Sequence, residues 1–292
     1  MTTTAMSAAD ARRFLAEEIR VTANIRSKRI VDALATVPRE RFLPNGPWQI
    51  RGVGDAGAAA GRLTDDADPR HVYHDVAIGI DPGRNLYNGQ PSLIARWLDD
   101  VGLDEGQRVI HIGCGTGYFT AVIGQVVGRH GRVDAMDVDA DLVARARNSL
   151  SDCPWIIVRH GNGTADLLEQ ADVVIVHAGA THVLEAWLDV MVDGGRLLLP
   201  LTAEFPGMPA SIGKGVMTLV TRRADNWHAE VKPTMPVAIY SLKDVRDEKL
   251  GAAVGQAMMT GALMKATRIR RDPHEPSASC AVHGPATCLS AI

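Results

Sequence analysis

The run Val109-Ile110-His111-Ile112-Gly113-Cys114-Gly115-Thr116-Gly117-Tyr118 carries the most specific chemistry in the chain. A short apolar strand enters a G-x-G-x-G turn and leaves it as a helix. Glycines serve where a ligand must approach the backbone and where φ is positive. The N-terminus of the helix adds N–H groups without intrahelical partners, at the positive end of its dipole. Twenty residues past Gly117, Asp137 closes the next apolar run, where a carboxylate can accept both hydroxyls of a ribose. A dinucleotide site asks for G-x-G-x-x-G, and here the third glycine comes one residue early. After a third run, Gly161-Asn162-Gly163 offers an amide oxygen to an amine donor, or makes an ordinary Asn-Gly turn. His177 ends a fourth run, at the edge where open α/β sheets take their ligands. His177, His74 and His71 are candidate bases for an acceptor that must lose a proton, or polar loop residues. Cys114 reads as filler inside the turn.

These groups need a scaffold, and the pattern from Arg108 onward supplies one. Strand runs at Val109–Ile112, Val133–Asp137, Trp155–Val158, Asp172–Val176 and Arg196–Leu199 alternate with helical runs at Tyr118–Val127, Ala140–Leu150 and Val183–Met191. That alternation predicts an α/β, doubly wound, mostly parallel sheet. Val216–Val220 and Val237–Leu242 read as an antiparallel pair at one sheet edge. Before the core, Ser7 and Asp10 form a capping-box pattern ahead of Ala11, Phe14, Leu15 and Ile19, and a second helix is expected over Ser27 to Ala35. Gly52 to Gly61 is a Gly/Ala-rich loop. Leu250, Val254 and Met258 mark a last amphipathic helix. The expected division is residues 1–107 for N-terminal helices and an acceptor-side segment, 108–243 for the core, 244–271 for the C-terminal helix and 272–292 for a disordered tail. The cluster Lys265, Arg268, Arg270 and Arg271 is favourable helix-end charge, or a docking point for an acidic peptide.

Composition narrows the classes. Of 292 residues, 46% are hydrophobic and 22% charged, an ordinary globular balance. Aromatics make up 4% and the net charge is −3, which argues against base stacking and phosphate tracking, so no nucleic-acid partner is expected. No apolar run reaches about 18 residues, so no membrane span is expected. The first ten residues lack the basic start and apolar core of a secretory signal. Cys114, Cys153, Cys280 and Cys288 form no C-x2-C pair. Neither a disulfide scaffold nor a structural zinc site is therefore expected, and a cytoplasmic setting is the simplest. A metal held by His71, His74 and Asp75 is compatible on residue type only, and no metal is expected.

The glycine spacing together with Asp137 resembles motif I of class I S-adenosylmethionine (SAM)-dependent methyltransferases. The wider pattern resembles the protein-L-isoaspartate O-methyltransferases. It includes Ile30 to Leu34, Val37-Pro38-Arg39-Glu40-Arg41-Phe42-Leu43-Pro44, Gly89-Gln90-Pro91 before a helix, Gly161-Asn162-Gly163, Val176-His177-Ala178 and Gly194 to Pro200. The likeness runs from Ile30 to Leu242. It implies a seven-stranded Rossmann-like core with N-terminal helices and a C-terminal helical extension. It also implies SAM as cofactor and S-adenosyl-L-homocysteine as product. The residues implied for the cofactor are Ile112, Gly113, Cys114, Gly115, Thr116, Gly117, Asp137, Val138, Gly161, Asn162, His177, Asn88, Gly89 and Gln90. Those implied for the acceptor are Tyr87, Asn88, Gly89, His177 and Thr202, and the catalytic candidates are His177, Tyr87 and His74. The chain departs from the family at Tyr87-Asn88-Gly89-Gln90-Pro91, where the family reads T-I-S-Q-P: Gly89 stands for its serine and Tyr87 for its threonine. Loss of that hydroxyl points away from isoaspartate as the acceptor. Similar repair-like enzymes occur among peptide-tailoring and natural-product methyltransferases. The expected activity is carboxyl O-methylation of a peptide or protein. Methylation of a small metabolite at O or N is the alternative, and a non-catalytic SAM-binding protein a further one.

Overall fold

The computed structural model describes residues 6–52, 61–164, 169–207, 209, 211–224, 226–242 and 245–291. Most of the Gly52–Gly61 loop lies outside these residues. The chain divides into two units.

The first unit comprises Met1–Gly106, Cys114–Arg132 and Asp139–Val158. Helix α1 (Ala8–Thr22) opens with the Ser7/Asp10 capping box, both hydrogen bonds formed, and buries Ala11, Leu15, Ala16 and Ile19. Helix α2 (Lys28–Thr36) buries Ile30, Ala33 and Leu34. Four short strands, β1 (Gln49–Arg51), β2 (Arg62–Leu63), β3 (Ala77–Asp81) and β4 (Leu86–Asn88), form an antiparallel sheet in the order β2-β1-β3-β4. Helix α3 (Pro91–Asp100) follows directly, with Pro91 at its first turn, where a missing N–H costs nothing. Asp75 caps it from outside, accepting from the Ser92 backbone N–H at 2.8 Å and the Ser92 hydroxyl at 2.6 Å. Helix α4 (Tyr118–Val127) is buried on nearly every side, as its run of apolar residues requires. Helix α5 (Ala140–Ser149) is capped by Asp139.

The second unit comprises Gln107–Gly113, Val133–Val138 and Arg159–Ile292. The strands are β5 (Arg108–Ile112), β6 (Arg132–Asp137), β7 (Ile156–His160), β8 (Ala171–Val176), β9 (Met191–Ala203), β10 (Ile212–Arg223), β11 (Asn226–Tyr240), β12 (Arg268–Arg270), β13 (Cys280–His283) and β14 (Cys288–Ser290). Helix α6 (Glu185–Asp189) precedes β9, and α7 (Glu248–Met259) and α8 (Ala262–Lys265) follow β11. Among the described residues the sheet order is β13-β14-β12-β11-β10-β9-β8-β5-β6-β7. β5 and β9 each run parallel to β8, and β10 pairs antiparallel with both β9 and β11. The core is aliphatic, with Val174, Val176, Leu197 and Leu199 fully buried beside Trp187. No helix among the described residues is long and apolar enough to cross a membrane.

The α/β reading holds, with three corrections. The large sheet is mixed instead of mostly parallel, because the five neighbouring pairs from β9–β10 out to β14–β13 all run antiparallel. Among the described residues the sheet has ten strands instead of seven, because β12, β13 and β14 extend it past the β10–β11 pair. Residues 272–292 are not a disordered tail. They contribute β13 and β14, antiparallel to each other, with β14 pairing on β12. Strands of three or four residues are too short for alternation to show. Two residues of the basic cluster have acidic partners: Arg271 meets Glu185 at 3.1 Å and Asp189 at 2.7 Å, and Arg270 meets Asp272.

Candidate active site

The glycine turn is built by backbone conformation. Gly113, Gly115 and Gly117 have φ of 78°, 56° and 94°, values in which an L side chain is strained. Beside Gly115 an added Cβ would meet nothing within 4 Å, so the turn presents bare backbone. Gly117 ends the turn, donating to the Cys114 carbonyl at 3.0 Å, and caps α4 without a side chain. The Thr116 hydroxyl is buried and has no hydrogen-bond partner among the described residues. A half-buried to buried glycine turn with open space beside Gly115 and one unsatisfied hydroxyl at Thr116 fits a ligand that approaches the backbone.

In the second unit, Gly113 follows β5 and His177 follows β8, two adjacent parallel strands at which the strand order reverses direction. The His177 N–H donates to the Ile112 carbonyl at 2.8 Å, and a Cβ on Gly113 would lie 3.2 Å from the His177 carbonyl oxygen. Asp137 ends β6 and Val138 after it is exposed. The Gly161 N–H donates to the Asp137 carbonyl at 2.9 Å, which brings the two predicted positions together. Asn162 behaves otherwise than expected. Its amide oxygen accepts from the Thr164 N–H at 3.0 Å and hydroxyl at 2.8 Å, so the Asn-Gly turn uses the acceptor that an adenine amine would need. Thr202 is fully buried, wedged where a Cβ on Gly179 or Gly213 would lie 2.5 Å from its hydroxyl. Its buried hydroxyl has no hydrogen-bond partner among the described residues.

Sequence reasoning passed over His111. It sits fully buried in β5, and its Nε2 lies 2.9 Å from His177 Nδ1, the two rings edge to face. Burial, and then His177, push the His111 imidazole well below its usual range. Burial brings His177 down to about 4. Both rings are therefore neutral at pH 7, one nitrogen donating to the other.

In the first unit the organising side chain is Arg39, the Arg of the V-P-R segment, which is fully buried. Its Nε donates to Asn88 Oδ1 at 3.1 Å. Its two amino groups donate to the carbonyls of Val72 at 3.1 Å, His74 at 3.3 Å, Val76 at 2.9 Å and Gly89 at 3.0 Å. All five guanidinium N–H groups are used, and the cation lies over the Tyr118 ring. Burial lowers its pKa to about 10, so it stays charged at neutral pH. One side chain thus ties the 72–76 segment to β4 and the residue after it.

The remaining candidates divide around that clamp. Tyr87 lies on β4 with Arg51 stacked 4.1 Å from its ring centre; its buried hydroxyl has no hydrogen-bond partner among the described residues. At Gly89, an added Cβ would meet Ile94 at 3.4 Å and Phe119 at 3.7 Å, which is ordinary contact, so the fold has room for a side chain there. The Gln90 amide donates to Asp75 at 2.7 Å and serves the start of α3. The His74 side chain is exposed and its backbone carbonyl belongs to the Arg39 clamp. His71 pairs with Asp66, and Asp75 is taken by Gln90 and Ser92, so the three residues do not assemble as metal ligands.

Residues 62–225 match the family model described as protein-L-isoaspartate(D-aspartate) O-methyltransferase. A protein-L-isoaspartate O-methyltransferase of Methanococcus maripaludis is 28% identical over 62% of this chain and 76% of its own length. One from Thermotoga maritima is 30% identical over 61% of this chain and 52% of its own. Among solved structures, a protein-L-isoaspartate O-methyltransferase superposes with a TM-score of 0.62 at 22% identity, over 85% of this chain and 69% of that one. A Plasmodium falciparum protein described as a beta-aspartate methyltransferase of the same kind, in complex with S-adenosyl-L-homocysteine, superposes with a TM-score of 0.60 at 18% identity, over 80% and 98%.

Proposed function

The chain belongs to the protein-L-isoaspartate(D-aspartate) O-methyltransferase family, and from that premise we propose that it esterifies a carboxylate of a peptide or protein other than, or besides, isoaspartate. It is a SAM-dependent methyltransferase. In this reading the turn from Gly113 to Gly117 and the Thr116 hydroxyl hold the amino-acid end of SAM. Asp137 takes the ribose, and Val138 and Gly161 border the adenine. When bound, SAM supplies an electrophilic methyl group on a sulfonium, whose leaving group departs as a neutral thioether.

The observation that carries the choice of acceptor is the neutral His111–His177 pair at the ends of β5 and β8. With His177 held near 4, it is a poor base at pH 7. Such a group serves an acceptor that arrives without its proton. A carboxyl group, with a reference pKa near 4, does so, whereas an amine or alcohol does not. Catalysis is then mostly placement of the carboxylate oxygen in line with the methyl, about 3 Å away. Within the first unit, Arg39 fixes Asn88 and Gly89, residues read for the acceptor. The chain lacks a hydroxyl at Gly89 although a side chain fits there, which favours a selectivity difference over a packing one.

Transfer of labelled methyl from SAM to a peptide panel tests this. Peptides carrying aspartate or glutamate are expected to accept label at least as well as their isoaspartyl counterparts. Transfer confined to isoaspartyl peptides would overturn the acceptor reading, and transfer confined to peptides or metabolites without a carboxylate would overturn the esterification.

A further inference from the structure

We propose that His274, Cys280, His283 and Cys288 form a structural zinc site that fastens the C-terminal strands to the edge of the large sheet. The four side chains come from β13, the start of β14 and the segment joining β12 to β13. One ligand atom from each lies within 4.8 Å of all the others. Tetrahedral zinc with bonds of about 2.0–2.3 Å needs ligand–ligand separations of about 3.3–3.8 Å, and Cys280 Sγ already stands 3.6 Å from His274 Nε2. The set is two thiols and two imidazoles, a donor set suited to zinc, with no position left open for water.

Surrounding contacts orient the donors. Nδ1 of His274 lies 2.7 Å from the Asp272 carbonyl oxygen, so that nitrogen carries the proton and Nε2 keeps its lone pair. The Ser277 backbone N–H lies 3.4 Å from Cys280 Sγ, an N–H to sulfur contact that suits a thiolate. Nδ1 of His283 is buried with no hydrogen-bond partner among the described residues. His283 and Cys288 are direct cross-strand partners, so ligation would close the β13–β14 hairpin, and His274 would tie the preceding segment to it. Strands of three and four residues have little core of their own, and metal ligation is one way such small elements are held. The adjacent thiols could instead pair as a disulfide. A disulfide would leave unexplained why two imidazoles share the same small space, one of them with its tautomer fixed. On binding, both cysteines ligate as thiolates and release their protons to solvent.

The test is metal content of the full chain, purified with a reductant after growth with added zinc and washed with a weak chelator. One zinc per chain is expected. Cys280→Ser and His283→Asn are each expected to lose it, and Cys153→Ser to retain it. Should the first two variants fail to fold, the wild-type chain is stripped and reloaded with cobalt(II). Tetrahedral d–d bands with thiolate-to-cobalt charge transfer are then expected. A chain that holds no zinc and gives no thiolate–cobalt band would overturn the proposal. So would undiminished zinc in folded Cys280→Ser, or a Cys280–Cys288 disulfide in metal-free protein purified without reductant.

Discussion

The cofactor turn and the acceptor-side clamp are built in opposite ways. The turn from Gly113 to Gly117 is made of backbone: three glycines with positive φ, bare main chain beside Gly115 and a helix starting without a side-chain cap. The clamp is made by one side chain. Arg39 gathers four carbonyls and an amide from two stretches more than thirty residues away. A backbone site depends on what its glycines lack. A side-chain hub fails as a unit when its centre is removed. The binding contribution of the first and the folding contribution of the second should therefore separate under mutation.

The largest effect is expected at the hub. Arg39→Met would leave five buried or part-buried acceptors without this donor, at a cost of about 3–5 kcal/mol in unfolding free energy, measured by urea denaturation. A loss below about 1 kcal/mol would mean the segments hold themselves. Next, Asp137→Ala is expected to weaken SAM binding by about 2 kcal/mol, roughly thirtyfold, with a much smaller change in stability. Calorimetric titration reads it, and unchanged affinity would remove the ribose assignment.

The histidine pair sharpens the contrast through pH. His177 titrates at about 4 in the folded chain against 6.5 without burial, so the unfolded chain binds the extra proton first. Its contribution to stability is complete above pH 6.5 and falls away as pH drops toward 4. Over that window wild type should lose about 3 kcal/mol more than a folded His177→Gln variant, since a tenfold change in proton affinity is worth about 1.4 kcal/mol. Parallel pH curves for the two would show that burial does not hold His177 neutral. The smallest effect on stability belongs to Gly89→Ser, within about 0.5 kcal/mol, because the added Cβ meets only ordinary contacts. The same change should raise turnover of an isoaspartyl peptide relative to an aspartyl one. An unchanged ratio would move selectivity away from Gly89.

This difference in construction also explains what was legible beforehand. A turn that needs positive φ leaves glycines in the sequence, and the acid that ends β6, Asp137, stands twenty residues past the last of them. Both could be read without a structure, as could the capping box at Ser7 and the β5 to β9 alternation. Arg39 could be read only as one letter of a family segment, since carbonyl partners have no signature in residue type. His111 was hidden by its apolar strand, where only pairing with His177 reveals it. Asn162 looked free for a ligand because a two-residue Asx turn onto Thr164 is as local as any loop contact. The tail was misread because β13 and β14 are too short for periodicity, and because a search for paired cysteines misses ligands spaced as His-x5-Cys-x2-His-x4-Cys.

The central claim is that methyl leaves SAM for an oxygen that is already ionised. The direct measurement is the fate of label in the methylated product under mild alkali. A carboxyl methyl ester, as the neutral histidine pair and the family fold together predict, releases its label as methanol. Label that survives alkali would place the methyl on nitrogen or an ether oxygen and contradict the account.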